Sequence, residues 1–204
     1  MYVPDHFRED RIDVLLDAVR RIGFAALITT NANGGLEANH LPMLLQDADG
    51  SPVLRGHVAR ANPVWKKGEG EALAIFLGPH AYVSPNWYPS KAETGKAVPT
   101  WNYLTVHAKG AIRWMQDADW LKSHVGELSA AHEAGRPQPW SIADAPAGYI
   151  DSMVRGIVGF ELTVAKLEGK WKLSQNRDAA DYVGAREGLA QDGHDDVARL
   201  MDRN

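Results

Sequence analysis

The sequence predicts an α+β fold, mainly β, in which a small antiparallel barrel carries peripheral helices. Three observations lead there. Apolar runs recur between Asn/Asp/Gly turns, as antiparallel strands require. Helical periods are appended to these runs, so the βαβ rhythm of a parallel nucleotide-binding sheet is missing. The length, 204 residues with 45% hydrophobic content, suits one compact domain that buries roughly 70% of the surface its unfolded chain exposes.

Taken in order, residues 10–21 set Ile12, Leu15, Leu16 and Val19 at helical spacing, and Gly23 ends the pattern. "FAALITT" (24–30), "LEANHLPMLL" (36–45) and "SPVLRGHV" (51–58) then read as an antiparallel meander, separated by the turns "NANGG" and "DADG". Asn62-Pro63 fits a helix N-cap followed by proline at the first helical position, opening a short helix through Lys66 and Lys67. "EALAIFLG" (71–78) and "YVSP" (82–85) resume strand texture. Residues 85–99 hold three prolines and no period, which predicts a long exposed loop. Residues 100–115 read as a long strand, 117–134 as a helix capped by Asp117, and 144–153 as a shorter helix. "GIVGFELTVAKLEGKWKLS" reads as a hairpin turning at Glu168-Gly169. The chain after Asp178 is helical in pattern and polar.

Composition narrows the function. A net charge of -4, from 26 acidic and 22 basic residues, offers no broad attraction to nucleic acid, and no basic run exceeds two residues. The absence of cysteine excludes disulfides, thiolate nucleophiles and Cys-ligated metals, and suits a reducing compartment. The start "MYVPDHFRED" lacks an apolar signal region, and no apolar stretch approaches the roughly 18 residues of a membrane span. A cytoplasmic protein without membrane contact is expected. No G-x-G-x-x-G, P-loop or G-x-S-x-G motif occurs. The eight histidines never adopt a close metal-ligand spacing; His124 and His132 could share a helix face, but solvated surface histidines are the expectation and no metal is assigned.

The motifs "GHVARANPVWKK", "GPHAYVSPNWY", "VPTWNY", "GIVGFEL" and "KLSQNR" together resemble the PaiB-type family of FMN-binding negative transcriptional regulators, FMN-binding split barrels akin to pyridoxamine phosphate oxidase. The resemblance runs in order from "MYVPDHF" to about Leu189. It implies a six-stranded antiparallel split barrel, a homodimer, and FMN at the subunit interface. Residues 1–190 are then the FMN-binding domain, and 191–204 a polar helical or disordered tail.

The resemblance nominates Thr29, Thr30, Asn39 and His40 on the first strand pair as flavin contacts; the same residues also read as strand and turn positions facing water. "GHVARANP" is similar to the segment that grips the FMN phosphate, which nominates His57, Arg60 and Asn62. A phosphate needs guanidinium, imidazole or hydroxyl donors and free backbone N–H groups, so the chemistry agrees. Asn62 reads equally as a plain N-cap, and Arg60 as a solvated arginine at a helix entry. Thr100, Trp101 and Asn102 alternate along a strand and are candidates for the ring's apolar wall and polar edge. Gln175, with Lys172 and Asn176, is a candidate flavin contact or a turn former. Trp87 and Tyr88 either cover the ring or anchor their loop. No residue stands out as a catalytic acid or base. The expected function is a flavin-dependent oxidoreductase or flavin sensor with a small-molecule redox partner; the alternative is a negative transcriptional regulator acting through DNA or a partner protein.

Overall fold

The computed structural model describes residues 1–31, 33–48 and 50–202. Ala32 of "NANGG", Asp49 of "DADG" and the last two residues of the tail lie outside the described residues. In chain order the elements are β1 (Arg8–Glu9), α1 (Ile12–Ile22), β2 (Phe24–Thr30), β3 (Leu36–Pro42), β4 (Leu44–Ala48), β5 (Ser51–Ala59), β6 (Gly70–Val83) and α2 (Pro89–Thr94). There follow β7 (Thr100–Met115), α3 (Ala118–Glu133), α4 (Tyr149–Val154), β8 (Ile157–Lys172), α5 (Ala179–Gln191) and α6 (Asp195–Met201). The strand order is β3-β2-β6-β7-β8-β5-β4, with β1 also on β8. This is the expected α+β split-barrel class, with eight strands rather than six.

Each departure from the expected strand plan has a local cause. The run 36–45 divides at Met43, whose side chain is buried and whose N–H donates to Gly23 O at 2.7 Å. β3 therefore pairs antiparallel with β2, and β4 with β5, instead of continuing a meander. Conversely, 70–83 is one strand although Pro79 interrupts its pattern. β2 pairs with β6 only from Leu73 to Ile75, so Pro79 lies beyond that ladder and removes no hydrogen bond from it. The hairpin expected at Glu168-Gly169 is instead continuous β8. Gly169 is there for space: a Cβ would stand 2.3 Å from Leu15 Cδ2 and 2.9 Å from Glu9 O, where β1 pairs with β8.

The loop expected over 85–99 is partly helical, because its prolines start helices. Pro85 opens a 3-10 turn capped by Ser84, and Pro89 opens α2, which Gly95 closes at φ +67°. Asp117 caps α3 through Trp120 N at 2.8 Å, as read from the sequence. The helix expected over 144–153 is shorter, starting at Tyr149 after a 3-10 turn at Ile142–Asp144. α6 buries Val197, Ala198 and Met201.

The chain divides into two compact units, one of residues 1–18, 76–107 and 168–204, the other of 19–75 and 108–167. The first unit buries Phe76, Val83, Tyr88, Val106, Leu173, Leu189 and Met201. Within it α5 holds the 85–94 segment: Asp181, itself buried, accepts from Ser90 N at 3.0 Å and Ser90 Oγ at 2.6 Å. Gly188 faces Trp87 so closely that a Cβ would stand 2.2 Å from its ring. The second unit buries Leu27, Leu54, Val58, Leu121, Phe160 and Leu162. There Gly56 leaves room for Phe160, and Gly159 for Trp120. Among the described residues, no helix is long and apolar enough to cross a membrane.

Candidate functional site

In the second unit the β2–β3 hairpin carries four of the expected site residues. Leu27 pairs with Asn39 and Thr29 with Glu37, which sets Thr29 and Asn39 on the buried side of β2, whereas His40 is exposed. Thr29 Oγ1 and Asn39 Nδ2 are buried with no hydrogen-bond partner. Thr30 Oγ1 accepts from Lys67 Nζ. Asn39 Oδ1 accepts from Asn62 Nδ2 at 2.6 Å. Asn62 Oδ1 in turn accepts from Val64 N at 3.0 Å and caps a 3-10 turn at Pro63–Lys67, with Pro63 first in the turn. Its N-cap reading thus holds. The turn is pinned by Val64, which packs with Val58 and Val158.

His57 and Arg60, three residues apart, go separate ways. Arg60 donates from Nε to Arg155 O (2.7 Å), from Nη1 to Gln116 Oε1 (2.9 Å) and from Nη2 to Ile157 O (2.9 Å), leaving two of its five N–H groups. It is a clasp on the start of β8 rather than a solvated helix-entry arginine. His57 Nδ1 lies 3.1 Å from Nε2 of His124 on α3. His124 is 1% exposed, which corrects its reading as a solvated surface histidine. Its ring stacks on Trp120, 5.2 Å between centroids, and its Nδ1 has no partner. Burial, then His57 and Arg55, push its pKa down to about 4; burial also lowers that of His57. Beside them Glu161 accepts from Arg55 (3.0 Å), Arg113 (2.6 Å) and Trp120 Nε1 (3.2 Å). Burial works to raise the Glu161 pKa, but these donors and the Arg55 charge hold it below the usual carboxylate range. The signal for His124 was present in the sequence: Leu121, His124 and Leu128 lie three and four apart, on the one stripe of α3 that is buried.

In the first unit the strand alternation of 100–103 is resolved. Trp101 is 53% exposed and meets Tyr82 and His80, each 6.2 Å between ring centroids. Asn102 is fully buried, accepting from Ser174 Oγ at 3.1 Å. Lys172 Nζ donates to Thr100 Oγ1 and Trp101 O, both at 2.5 Å. Burial, then Lys170 and Arg177, lower the Lys172 pKa. Gln175 closes its own turn, accepting from Leu173 N at 2.7 Å and donating to Trp171 O at 2.6 Å. Tyr88 is buried under the Arg177 guanidinium, 4.5 Å from its ring centroid, so it anchors its segment. Asn176 is exposed. Among the described residues, no cluster of three or more metal-ligating side chains exists.

The hairpin donors suit a flavin. The edge of an isoalloxazine ring presents carbonyl oxygens and ring nitrogens, and a hydroxyl and an amide that lack protein partners are the groups such an edge would satisfy. The fold and these donors define a flavin-binding protein of the split-barrel kind. The comparisons agree. Residues 1–166 match the family model described as "Putative FMN-binding domain". The chain is 31% identical over 204 residues to the protease synthase and sporulation protein PAI 2 of Bacillus subtilis, covering 99% of this chain and 95% of that protein. It is 33% identical over 233 residues to an uncharacterized protein of Emericella nidulans, covering 96% and 92%. Among solved structures it is similar to a flavocytochrome of Azotobacter vinelandii, with TM-score 0.60, 11% identity and coverage of 89% and 78%. An FAD and heme binding protein of Mycobacterium smegmatis is also similar, with TM-score 0.58, 13% identity and coverage of 87% and 79%. These structures share the fold.

The chain belongs to the PaiB-type FMN-binding family, and FMN is its cofactor.

Proposed function

We propose that this protein is a flavin-dependent oxidoreductase or flavin sensor that works as a cytoplasmic homodimer. The observation that carries the reading is the pair of buried, unpartnered donors, Thr29 Oγ1 and Asn39 Nδ2, on one hairpin. A folded protein rarely leaves such groups unpaired without a use for them. Bound FMN supplies the hydride or electron chemistry, and the chain supplies binding and orientation. Thr29 and Asn39 take the ring's polar edge. Asn62 holds Asn39 by its Oδ1, so that the amide Nδ2 of Asn39 is the end presented. His57, the two remaining N–H groups of Arg60, and Lys67 offer donors and positive charge for the phosphate.

The test is spectroscopic. Protein as purified, or titrated with FMN, should show bound-flavin absorbance; NADH or NADPH should bleach it and air restore it with turnover. Colourless protein that takes up no FMN would overturn the reading. Bound FMN that no nicotinamide reduces would point to sensing, whereas light scattering should give about twice 22.4 kDa for the dimer. A second reading, negative regulation of transcription, is favoured by the Bacillus subtilis relative, whose name ties it to protease synthesis and sporulation. The net charge of -4 makes a partner protein a better target for it than DNA, and a salt-dependent DNA-binding assay separates the two.

A further inference from the structure

We propose that His124 is a positioning residue for His57: it fixes the neutral His57 imidazole in the tautomer that carries its proton on Nε2, and acid breaks that arrangement. The proposal rests on the FMN reading of the 56–63 segment only for its effect on ligand.

The geometry sets the tautomer. His57 Nδ1 and His124 Nε2 are 3.1 Å apart, so one proton lies between them and one of the two nitrogens must accept. If His57 Nδ1 donated, neutral His124 would carry its own proton on Nδ1, which is buried and has no partner. A buried N–H without an acceptor is the rarer and costlier orphan; a bare lone pair there is the better tolerated one. His124 therefore donates from Nε2, its Nδ1 is the bare lone pair, and His57 is left with Nε2–H. That is the form in which a neutral imidazole can donate to a phosphate oxygen. The stack on Trp120 fixes the plane of His124, and α3 fixes its height over β5.

The same geometry is sensitive to acid. The added proton is disfavoured on His124 Nδ1, where the new N–H would be buried without an acceptor; on His57 Nδ1 it places N–H groups on both facing nitrogens, and the contact opens. The charged groups around it are Arg55 on β5, Glu127 on α3, Glu161, which accepts from Trp120 Nε1, and Arg113, which pairs with Glu161. Arg55 opposes the added proton, and Glu161 is already occupied by three donors. The depressed basicity of both rings is consistent with a pair held neutral at neutral pH.

Two measurements decide this, and they fail separately from the flavin reading. Nitrogen-15 imidazole spectra of the unmodified protein at pH 7.5 should show both His57 and His124 as Nε2–H tautomers, with the pair taking up a further proton only in acid. A His57 Nδ1–H, or two rings titrating independently near neutrality, overturns the proposal whether or not FMN binds. Second, FMN and riboflavin affinities are measured from pH 7.5 to 4 in the wild type and in His124→Gln. FMN's own phosphate also titrates near pH 6, so the wild-type loss alone decides nothing. The expected result is that the two proteins lose FMN affinity alike down to about pH 5, and that by pH 4 the wild type has lost about twofold more than His124→Gln, while riboflavin shows no such difference. Equal losses in the two proteins at pH 4 overturn the proposal. If neither protein binds FMN at pH 7.5, the flavin reading of this segment fails and the spectra alone decide the tautomer.

Discussion

Lowering the pH should destabilise this protein through His124 before any carboxylate contributes. His124 is buried and neutral, with a pKa near 4 against an ordinary 6.5. Because the folded value is the lower one, the unfolded chain takes up the proton first. Stability is therefore complete above about pH 6.5 and declines as pH falls toward 4. The loss is about 1.4 kcal/mol at pH 5.5 and about 2.6 kcal/mol at pH 4.5 from this one group. His57, also depressed by burial, adds in the same direction. Glu9, held low mainly by its hydrogen bond from Arg11, and Glu161 lose their contributions only at more acid pH. Urea unfolding followed by tryptophan fluorescence measures this directly. With a slope of about 2 kcal/mol/M, the midpoint should fall by about 0.7 M between pH 7.5 and 5.5. His124→Phe keeps a ring against Trp120 but has no proton to gain, and its midpoint should vary less over that window whatever its absolute stability. A flat wild-type profile, or an equal slope in His124→Phe, would refute the account of His124 as a buried neutral group.

Four further outcomes are expected. Thr29→Val removes a buried hydroxyl that has no partner; it should leave the flavin-free protein as stable or up to about 1 kcal/mol more so, yet weaken FMN, and a loss of stability without a change in FMN affinity would remove Thr29 from the site. Gly159→Ala would put a Cβ 2.1 Å from Trp120 Cζ3 and should cost about 1–3 kcal/mol, read as a lower melting temperature; an unchanged one would disprove the packing of α3 on β8. Asp181→Ala strands the Ser90 N–H and hydroxyl and should cost about 1–3 kcal/mol, with faster proteolysis in 85–99; equal cleavage would show that α5 does not hold that segment. Asn62→Ala removes the cap on Val64 N and the tie to Asn39, costing about 1 kcal/mol by calorimetry together with weaker FMN binding.

Local rules carried much of the fold. Turn chemistry located β2 and β5 to within a residue, Asp117 and Asp178 were legible as the starts of α3 and α5, and the Asn62-Pro63 cap was readable from its two letters. Several misread elements turned on a glycine or proline with two meanings. Gly169 looked like a turn and serves as clearance for Leu15; Pro85 and Pro89 looked like breakers and open helices. The site shows the same division. Residue types that suit a flavin were visible in "GHVARANP" and the first hairpin, and the family followed from motifs kept in order along the chain.

What the sequence by itself determined was the class of fold, the family and its FMN, because strand alternation, turn residues and motif order are local properties of the chain. Only the tertiary structure decided what each candidate touches. Arg60 reaches the carbonyls of Arg155 and Ile157, about a hundred residues downstream, Asn62 orients Asn39, and His57 meets a histidine that the sequence placed in solvent. Those partners are set by which strands pair and which helix covers them, and hydrogen bonds between residues so far apart leave no period in the sequence from which to read them.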